Sequence, residues 1–146
     1  MIEDFFPTIL EMAGVKRYGT RQKTDGHSFA GVLRNPAKRY ERPIVWHFPN
    51  LWGETQNQEE GYGAYSAWLE GDYHLIYTWE TGRLRLYDIR RDIGEQHDLA
   101  AEHPEVVRRL AGRLAKRLRE ADAQRPSFRA TGAPCPWPDE RLRTTR

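Results

Sequence analysis

Residues 64–89 have the sequence AYSAWLEGDYHLIYTWETGRLRLYDI, and the topology of the chain follows from it. Aromatic and β-branched residues cluster between short polar turns, which is typical of strands. Gly71 and Gly82 supply turn positions at which a positive φ is tolerated. Leu84 and Leu86 alternate with arginines, as expected of a strand with one buried face. The stretch therefore predicts an antiparallel meander of three strands: Ala64–Leu69, Tyr73–Trp79 and Arg83–Ile89.

A further strand and a long helix flank this meander. Ile44–Phe48 predicts a strand that ends at Pro49, and residues 51–61 predict a polar loop. Pro104 begins a stretch with helical spacing of apolar residues that runs to about Glu120. One sheet covered by one helix is a stable two-layer arrangement. We expect an α+β fold, with a small antiparallel sheet of about four strands packed against a long amphipathic C-terminal helix.

The two ends of the chain differ from this central part. A short N-terminal helix is predicted to begin between Asp4 and Phe6, with Asp4 as its N-cap and Gly14 as its left-handed stop. Its apolar face would need a partner surface; the residues of that face are Phe5, Phe6, Ile9, Leu10 and Ala13. After Asp122 the chain has four prolines and no periodicity, which predicts an irregular tail that is extended, draped or disordered. The predicted organisation is an N-terminal helix and loop (1–39), a sheet-plus-helix subdomain (40–121) and a Pro-rich tail (122–146).

Composition excludes several classes of protein. The 146 residues carry a net charge of +2, too close to neutral for nucleic acid or an anionic membrane surface as the default partner. Cys135 is the single cysteine, so an internal disulfide is excluded. No stretch approaches the roughly 20 apolar residues of a membrane helix, and the first four residues lack the basic start of a signal peptide. We expect a soluble chain, and its location is unknown.

His47 is the candidate binding residue. It stands between Trp46 and Phe48 at the end of a predicted strand. One interpretation is a histidine satisfied by a neighbour or by water, and the other is a ligand-facing group at the mouth of a cleft. None of the five histidines falls at a metal-ligand spacing, so we expect no metal site.

Two other features could carry chemistry. The long helix has a dense basic face that a nucleic-acid reader could also show, but stacking aromatics are not interleaved with it, and a solvated or domain-docking face is favoured; that face comprises Arg108, Arg109, Arg113, Lys116, Arg117 and Arg119. Cys135 lies between prolines without a histidine nearby in sequence, so we expect no reactive thiolate. No serine has the G-x-S-x-G context of a nucleophile elbow. The residues therefore predict no catalytic site of the chain's own.

Five segments of the chain follow one another in a telling order. They are Asp4–Leu10 with Gly14, Asp25–Phe29 with Leu33, Arg42–Pro49, Gly71–Tyr77, and Leu86–Ile89 followed by Asp92, Glu95, Leu99 and Ala100. This order resembles the C-terminal region of type I sulfatases, the arylsulfatase and N-sulfoglucosamine sulfohydrolase-like enzymes. The resemblance extends to about Pro126.

The resemblance implies that the active site and the C-terminal subdomain are separate parts of the enzyme. In that family a large domain of alkaline-phosphatase type holds a formylglycine, made from Cys or Ser within C/S-x-P-x-R, beside a divalent cation that is usually calcium. A smaller C-terminal subdomain packs a four-stranded sheet and a helix against it. Here Cys135 is followed by Pro136, and neither it nor any serine fits that motif. The chain would then be inactive alone, with calcium and formylglycine only in a missing catalytic domain, and whether it counts as an enzyme is left open.

The resemblance also bears on partners and on single positions. It implies the catalytic domain as a partner, a sulfated glycan or aryl sulfate as a ligand, and self-association through exposed apolar surface. In relatives the loop after the W-H-F/Y-P strand lies near the substrate entrance, which implies a substrate-binding role for His47. Leu69 stands where many relatives have Arg, and His74 where many have Lys. The alternative function is a free-standing module that binds a glycan or protein through its aromatic sheet face.

Overall fold

The computed structural model describes residues 1–15, 19–21, 24–38, 42–50 and 63–142. The chain divides into two compact units, Met1–Arg42 (unit 1) and Pro43–Arg146 (unit 2). The predicted polar loop at 51–61 lies outside the described residues. In the part of the chain that is described, no helix combines the length and the apolar composition needed to cross a membrane.

Unit 1 is built around the predicted N-terminal helix. A 3-10 turn at Ile2–Asp4 leads into α1 (Phe5–Met12), Gly14 follows with a φ of 77°, and a short helix α2 spans Ala30–Arg34. These bounds confirm the predicted start and stop of the first helix. Much of its apolar surface is exposed, as expected of a face that needs a partner; Phe5, Phe6, Ile9 and Met12 are between 46% and 61% exposed.

Asp4 does not act in unit 1 as the side-chain cap that the sequence predicts. It occupies the N-cap position of α1, but its carboxylate makes no capping hydrogen bond. Instead Oδ1 accepts a hydrogen bond from the His27 backbone N–H at 2.9 Å and pairs with the Arg42 guanidinium at 2.9 Å. Burial alone would raise the pKa of Asp4, but these partners lower it below its usual value. The Asp4 carboxylate is fully buried, and its opposite charges and hydrogen bonds offset the free-energy cost of that burial.

Unit 2 contains the predicted sheet. Its four strands follow one another in space in the order β1-β2-β3-β4, and every neighbouring pair is antiparallel. Gly71 and Gly82 lie in the two tight turns with φ values of 62° and 67°. The prediction of about four antiparallel strands is confirmed, with each bound within one residue; the strands are β1 (Ile44–Phe48), β2 (Tyr65–Glu70), β3 (Tyr73–Thr78) and β4 (Arg83–Asp88).

The core lies between one face of the sheet and α3 (Pro104–Glu120). Strand register places Leu75 of β3 opposite Trp68 of β2 and Leu86 of β4, so these three side chains share the core face. The apolar stripe of the helix packs against them. Its buried members are Val107, Leu110, Ala111, Leu114, Ala115 and Leu118. The α+β prediction is therefore confirmed.

The segment after Asp122 is irregular, as predicted, but it is also packed. Cys135 is only 3% exposed and belongs to the core cluster. The Tyr77 hydroxyl donates to the Pro136 carbonyl at 2.7 Å, and burial raises the pKa of Tyr77 to about 12. Trp137 then precedes α4 (Pro138–Arg141), a four-residue helix that the sequence did not predict because so short a segment has no periodicity.

Candidate functional site

His47 belongs to a chain of hydrogen bonds that joins three parts of unit 2. Its Nδ1 lies 2.7 Å from Ser66 Oγ, on the opposite residue of β2, and its Nε2 lies 2.9 Å from the Gln124 carbonyl. The Trp79 indole N–H donates to the same Ser66 Oγ at 2.9 Å. A carbonyl only accepts, so Nε2 carries the hydrogen, and Nδ1 accepts from the Ser66 hydroxyl. The chain Trp79–Ser66–His47–Gln124 leaves neither ring nitrogen without a partner.

The same contacts favour a neutral imidazole at position 47. Burial lowers the pKa of His47, and the Gln124 carbonyl opposes this only in part. These are the features of a histidine satisfied by its neighbours, the first of the two interpretations of this residue. Its substrate-binding role stays a prediction. The sequence could identify His47 as unusual, but not its partners, since Gln124 is 77 residues away.

Stability should therefore fall below neutral pH through His47. Its pKa in the folded chain lies below the ordinary 6.5, so the unfolded chain binds the proton more readily. The contribution is complete above about pH 6.5 and is lost as the pH drops below that value. We expect the free energy of unfolding to decrease between pH 7.5 and 5.5 in the natural chain, and to decrease less in His47→Gln. Urea unfolding followed by tryptophan fluorescence measures both. Equal decreases in the two proteins would show that another group is responsible.

A cavity of about 640 Å³ adjoins this hydrogen-bond chain, because Trp79 and Gln124 line it. It is formed by residues that directly follow β1 and β3, by Ala64 just before β2, and by the segment after α3. Its apolar lining includes Pro49, Ala64, Pro126, Phe128 and Cys135. Its polar lining includes Asn50, Glu80, Arg125, Ser127 and Arg129. No periodic sequence signal connects these stretches, so sequence reasoning missed the cavity.

The two arginines of the cavity differ in their surroundings. Arg125 is fixed, since its Nε donates to the Cys135 carbonyl at 2.6 Å and its guanidinium lies 5.1 Å from the centre of the Trp137 ring. It also pairs with Glu140 at 3.1 Å. Arg129 is exposed and makes no ion pair with any residue that the structure describes. The described residues therefore leave the donors of its guanidinium without an acidic partner.

Cys135 lines the cavity without the features of a nucleophile. The side chain is almost fully buried, and burial raises the pKa of the thiol despite the charge of Arg125. A raised pKa keeps the sulfur protonated at neutral pH, whereas nucleophilic chemistry needs the thiolate. These surroundings are not those of an activated thiolate, and the unreactive role of Cys135 stays a prediction.

The basic face of α3 is largely engaged within unit 2. Glu70 at the end of β2 pairs with both Arg109 and Arg113. Burial would raise the pKa of Glu70, but hydrogen bonds from Arg113 and Trp68 lower it. Arg119 forms two parallel hydrogen bonds with Asp139, at 2.8 and 3.0 Å. The acidic partners are distant in sequence, so these ion pairs could not be predicted from the sequence.

Leu69 and His74, the two positions that depart from the sulfatase pattern, face each other across β2 and β3. His74 Nδ1 lies 2.5 Å from the carboxylate of Glu95, and its ring contacts Trp46 edge-on at 5.5 Å. Glu95 has a φ of 53°, in the left-handed region that non-glycine residues seldom adopt. The structure thus gives His74 an acidic partner that the sequence did not reveal.

The calcium that the resemblance implies does not fit the described part of this chain. Among those residues, no three of the types His, Cys, Asp and Glu lie close enough together to hold a metal ion. Calcium takes six to eight oxygen ligands, several from carboxylates. A site for it would therefore need ligands from elsewhere.

Comparison with known proteins shows similarity to sulfatases. A sulfatase of Formosa agariphila is 34% identical to the chain over 104 residues, which are 69% of this chain and 19% of that protein. The chain is related to the sulfatases. PB10D8.02c, an uncharacterized sulfatase of Schizosaccharomyces pombe, is 29% identical over 117 residues, or 75% of this chain and 19% of that sulfatase. No family model matches the chain.

Solved structures share the fold. BT4656, whose structure contains its substrate D-glucosamine-2-N,6-O-disulfate, superposes with a TM-score of 0.57 at 23% identity, over 82% of this chain and 24% of that one. BT33494S-sulf, from a Bacteroides thetaiotaomicron locus for glycosaminoglycan metabolism, gives a TM-score of 0.54 at 20% identity, over 98% and 29%. The chain spans about a fifth of the length of its curated sulfatase relatives, which is consistent with the predicted C-terminal region.

Proposed function

We propose that this chain is the C-terminal subdomain of a sulfuric ester hydrolase and contributes to the substrate cleft of the whole enzyme. The observation that carries the proposal is the 34% identity to a sulfatase over 104 residues, together with a fold shared with larger solved chains. In the proposal, the activity of such an enzyme comes from a separate catalytic domain.

The exposed surface of unit 1 supports a partner domain. Phe5, Phe6, Ile9 and Met12 of α1 leave large apolar side chains in contact with solvent. Burying a side chain of this size stabilises a complex by about 1.5–3 kcal/mol relative to leaving it exposed. In the proposal the catalytic domain covers this face. Without that cover, the same face would promote self-association of the chain.

The chemistry of the described residues supports inactivity of the chain alone. Hydrolysis of a sulfate ester needs an activated nucleophile and a cation or donors that stabilise the developing charge. Cys135 is a buried thiol outside the C/S-x-P-x-R motif, and the described residues include no cluster that could hold a metal. In the proposal, formylglycine and calcium belong to the catalytic domain.

The test compares the chain alone with a chimera. The purified chain should release no nitrophenol from 4-nitrophenyl sulfate in the presence of calcium. A Formosa agariphila sulfatase in which this chain replaces the matching segment should hydrolyse the sulfated substrate of the parent enzyme. The same sulfatase without the segment should lose at least about tenfold in kcat/KM, because part of the cleft and its support is absent.

Two controls make this test decisive. Cys135→Ala in the chain alone excludes a contribution from the thiol; turnover that survives this change and repeated purification would contradict the proposal. Leu114→Asp in the chimera places a charge in the core of unit 2 and should abolish the rescue. Rescue that persists with Leu114→Asp would show that the folded subdomain is not needed.

A further inference from the structure

We propose that the 640 Å³ cavity of unit 2 binds an anionic saccharide and that Arg129 binds its sulfate or carboxylate group. The class of ligand rests on the proposed function, whereas the location rests on the structure alone. The cavity falls within the range of about 300–1,000 Å³ that is usual for small-molecule sites.

The lining of the cavity suits a sugar ring. Phe128 and Pro126 offer apolar surface for the C–H faces of a pyranose, and Asn50 and Ser127 carry an amide and a hydroxyl that can bond to its hydroxyl groups. A site with apolar walls and a few polar groups is the usual arrangement for a small ligand.

The charge of the cavity suits an anion. Arg125 and Arg129 contribute two guanidinium groups and Glu80 one carboxylate, so the lining is net positive. The Arg125 guanidinium is occupied by the Cys135 carbonyl, Glu140 and the Trp137 ring. Arg129 has no such partner among the described residues, and a guanidinium binds an oxyanion through two parallel hydrogen bonds. Arg129 is therefore the residue that contacts the anion in this proposal.

His47 is excluded as the anion contact by its geometry. Ser66 and the Gln124 carbonyl occupy both of its ring nitrogens. The proposed anion contact of the cavity is thus Arg129, in the segment after α3, and the substrate-binding role of His47 stays a separate prediction.

The experiment is a ¹H–¹⁵N NMR titration of the full 146-residue chain with D-glucosamine-2-N,6-O-disulfate. We expect saturable shifts of amides around Ser127 and Phe128. Arg129→Gln should bind about tenfold more weakly or worse, since a charged hydrogen-bond donor is lost. Arg108→Gln, which removes the same charge from the exposed face of α3, should bind as the natural chain does.

Several results would overturn the proposal. One is an absence of saturable shifts at the cavity, and another is equal affinity in Arg129→Gln and the natural chain. Equal affinity for inorganic sulfate and the disulfated sugar would refute the saccharide assignment. D-Glucosamine should bind far more weakly than its disulfate, and equal binding would refute the role of the anion.

The chimera separates this inference from the proposed function. An active chimera with no binding at the cavity overturns the inference and leaves the function standing. A chimera without activity, combined with binding that depends on Arg129, refutes the function and supports the site. If the proposed function and the proposed site are both correct, Arg129→Gln in the chimera should raise KM with little change in kcat, because it removes a binding contact.

Discussion

Trp79→Ala should destabilise unit 2 by about 3–5 kcal/mol, the range measured when a buried Trp or Phe is truncated. Trp79 is fully buried and packs edge-on against Tyr77 and Trp137, with ring centres 5.0 and 5.6 Å apart. Its indole N–H also donates to Ser66, which holds His47. Urea unfolding followed by far-UV circular dichroism measures the loss without relying on the tryptophan that is removed.

Two further substitutions separate the contributions of Trp79. Trp79→Phe keeps an aromatic ring but removes the donor to Ser66, so we expect a smaller loss of about 1–3 kcal/mol. Phe48→Ala removes an aromatic ring that is 44% exposed, and it should cost much less than Trp79→Ala. A Trp79→Ala loss no larger than that of Phe48→Ala would mean that the core of unit 2 is not organised around this ring.

The sheet and α3 were predictable because their signals are local. The signals are the alternation in Arg83–Asp88, the glycines in the turns and the apolar spacing from Pro104 to Glu120. Each of them involves residues that are close together in the sequence. Bounds came within one residue because Gly71 and Gly82 fix where strands must stop. Local sequence and final structure agree in this part of the chain.

The packed tail and the cavity were not predictable for the opposite reason. Tyr77 bonds Pro136 across 59 residues, and His47 bonds Gln124 across 77. Neither contact leaves a periodic trace, and a segment rich in proline looks irregular whether or not it is packed. His47 was recognised from its neighbours, but whether its ring faces solvent or a backbone carbonyl depends on where the tail lies.

Gly26→Ala should disrupt unit 1. A Cβ at this position would lie 2.0 Å from the Glu3 carbonyl oxygen and 3.2 Å from Pro7 Cδ. Both neighbours belong to the turn and first residues of α1, so backbone must move to make room. Overpacking of this kind costs about 1–3 kcal/mol and sometimes more, a large share of what a unit of 42 residues can supply.

The loss should appear first in the contacts beside Gly26. The backbone N–H of His27 bonds Asp4, and the N–H of Phe29 bonds the Thr8 hydroxyl at 3.1 Å. We expect hydrogen exchange at these two amides to accelerate by at least about tenfold in Gly26→Ala, since each 1.4 kcal/mol of lost local stability raises the open population tenfold.

Gly19→Ala is the matched control, because a Cβ there would meet no atom of the described residues within 4 Å. It should leave exchange at His27 and Phe29 unchanged. If both variants exchange alike, Gly26 and Glu3 are not in close contact in solution. If only Gly26→Ala loses protection, the first two segments that resemble sulfatases, around Asp4 and around His27, form one bonded unit. Their order along the chain would then reflect a physical requirement, since a glycine must stand where the two backbones meet.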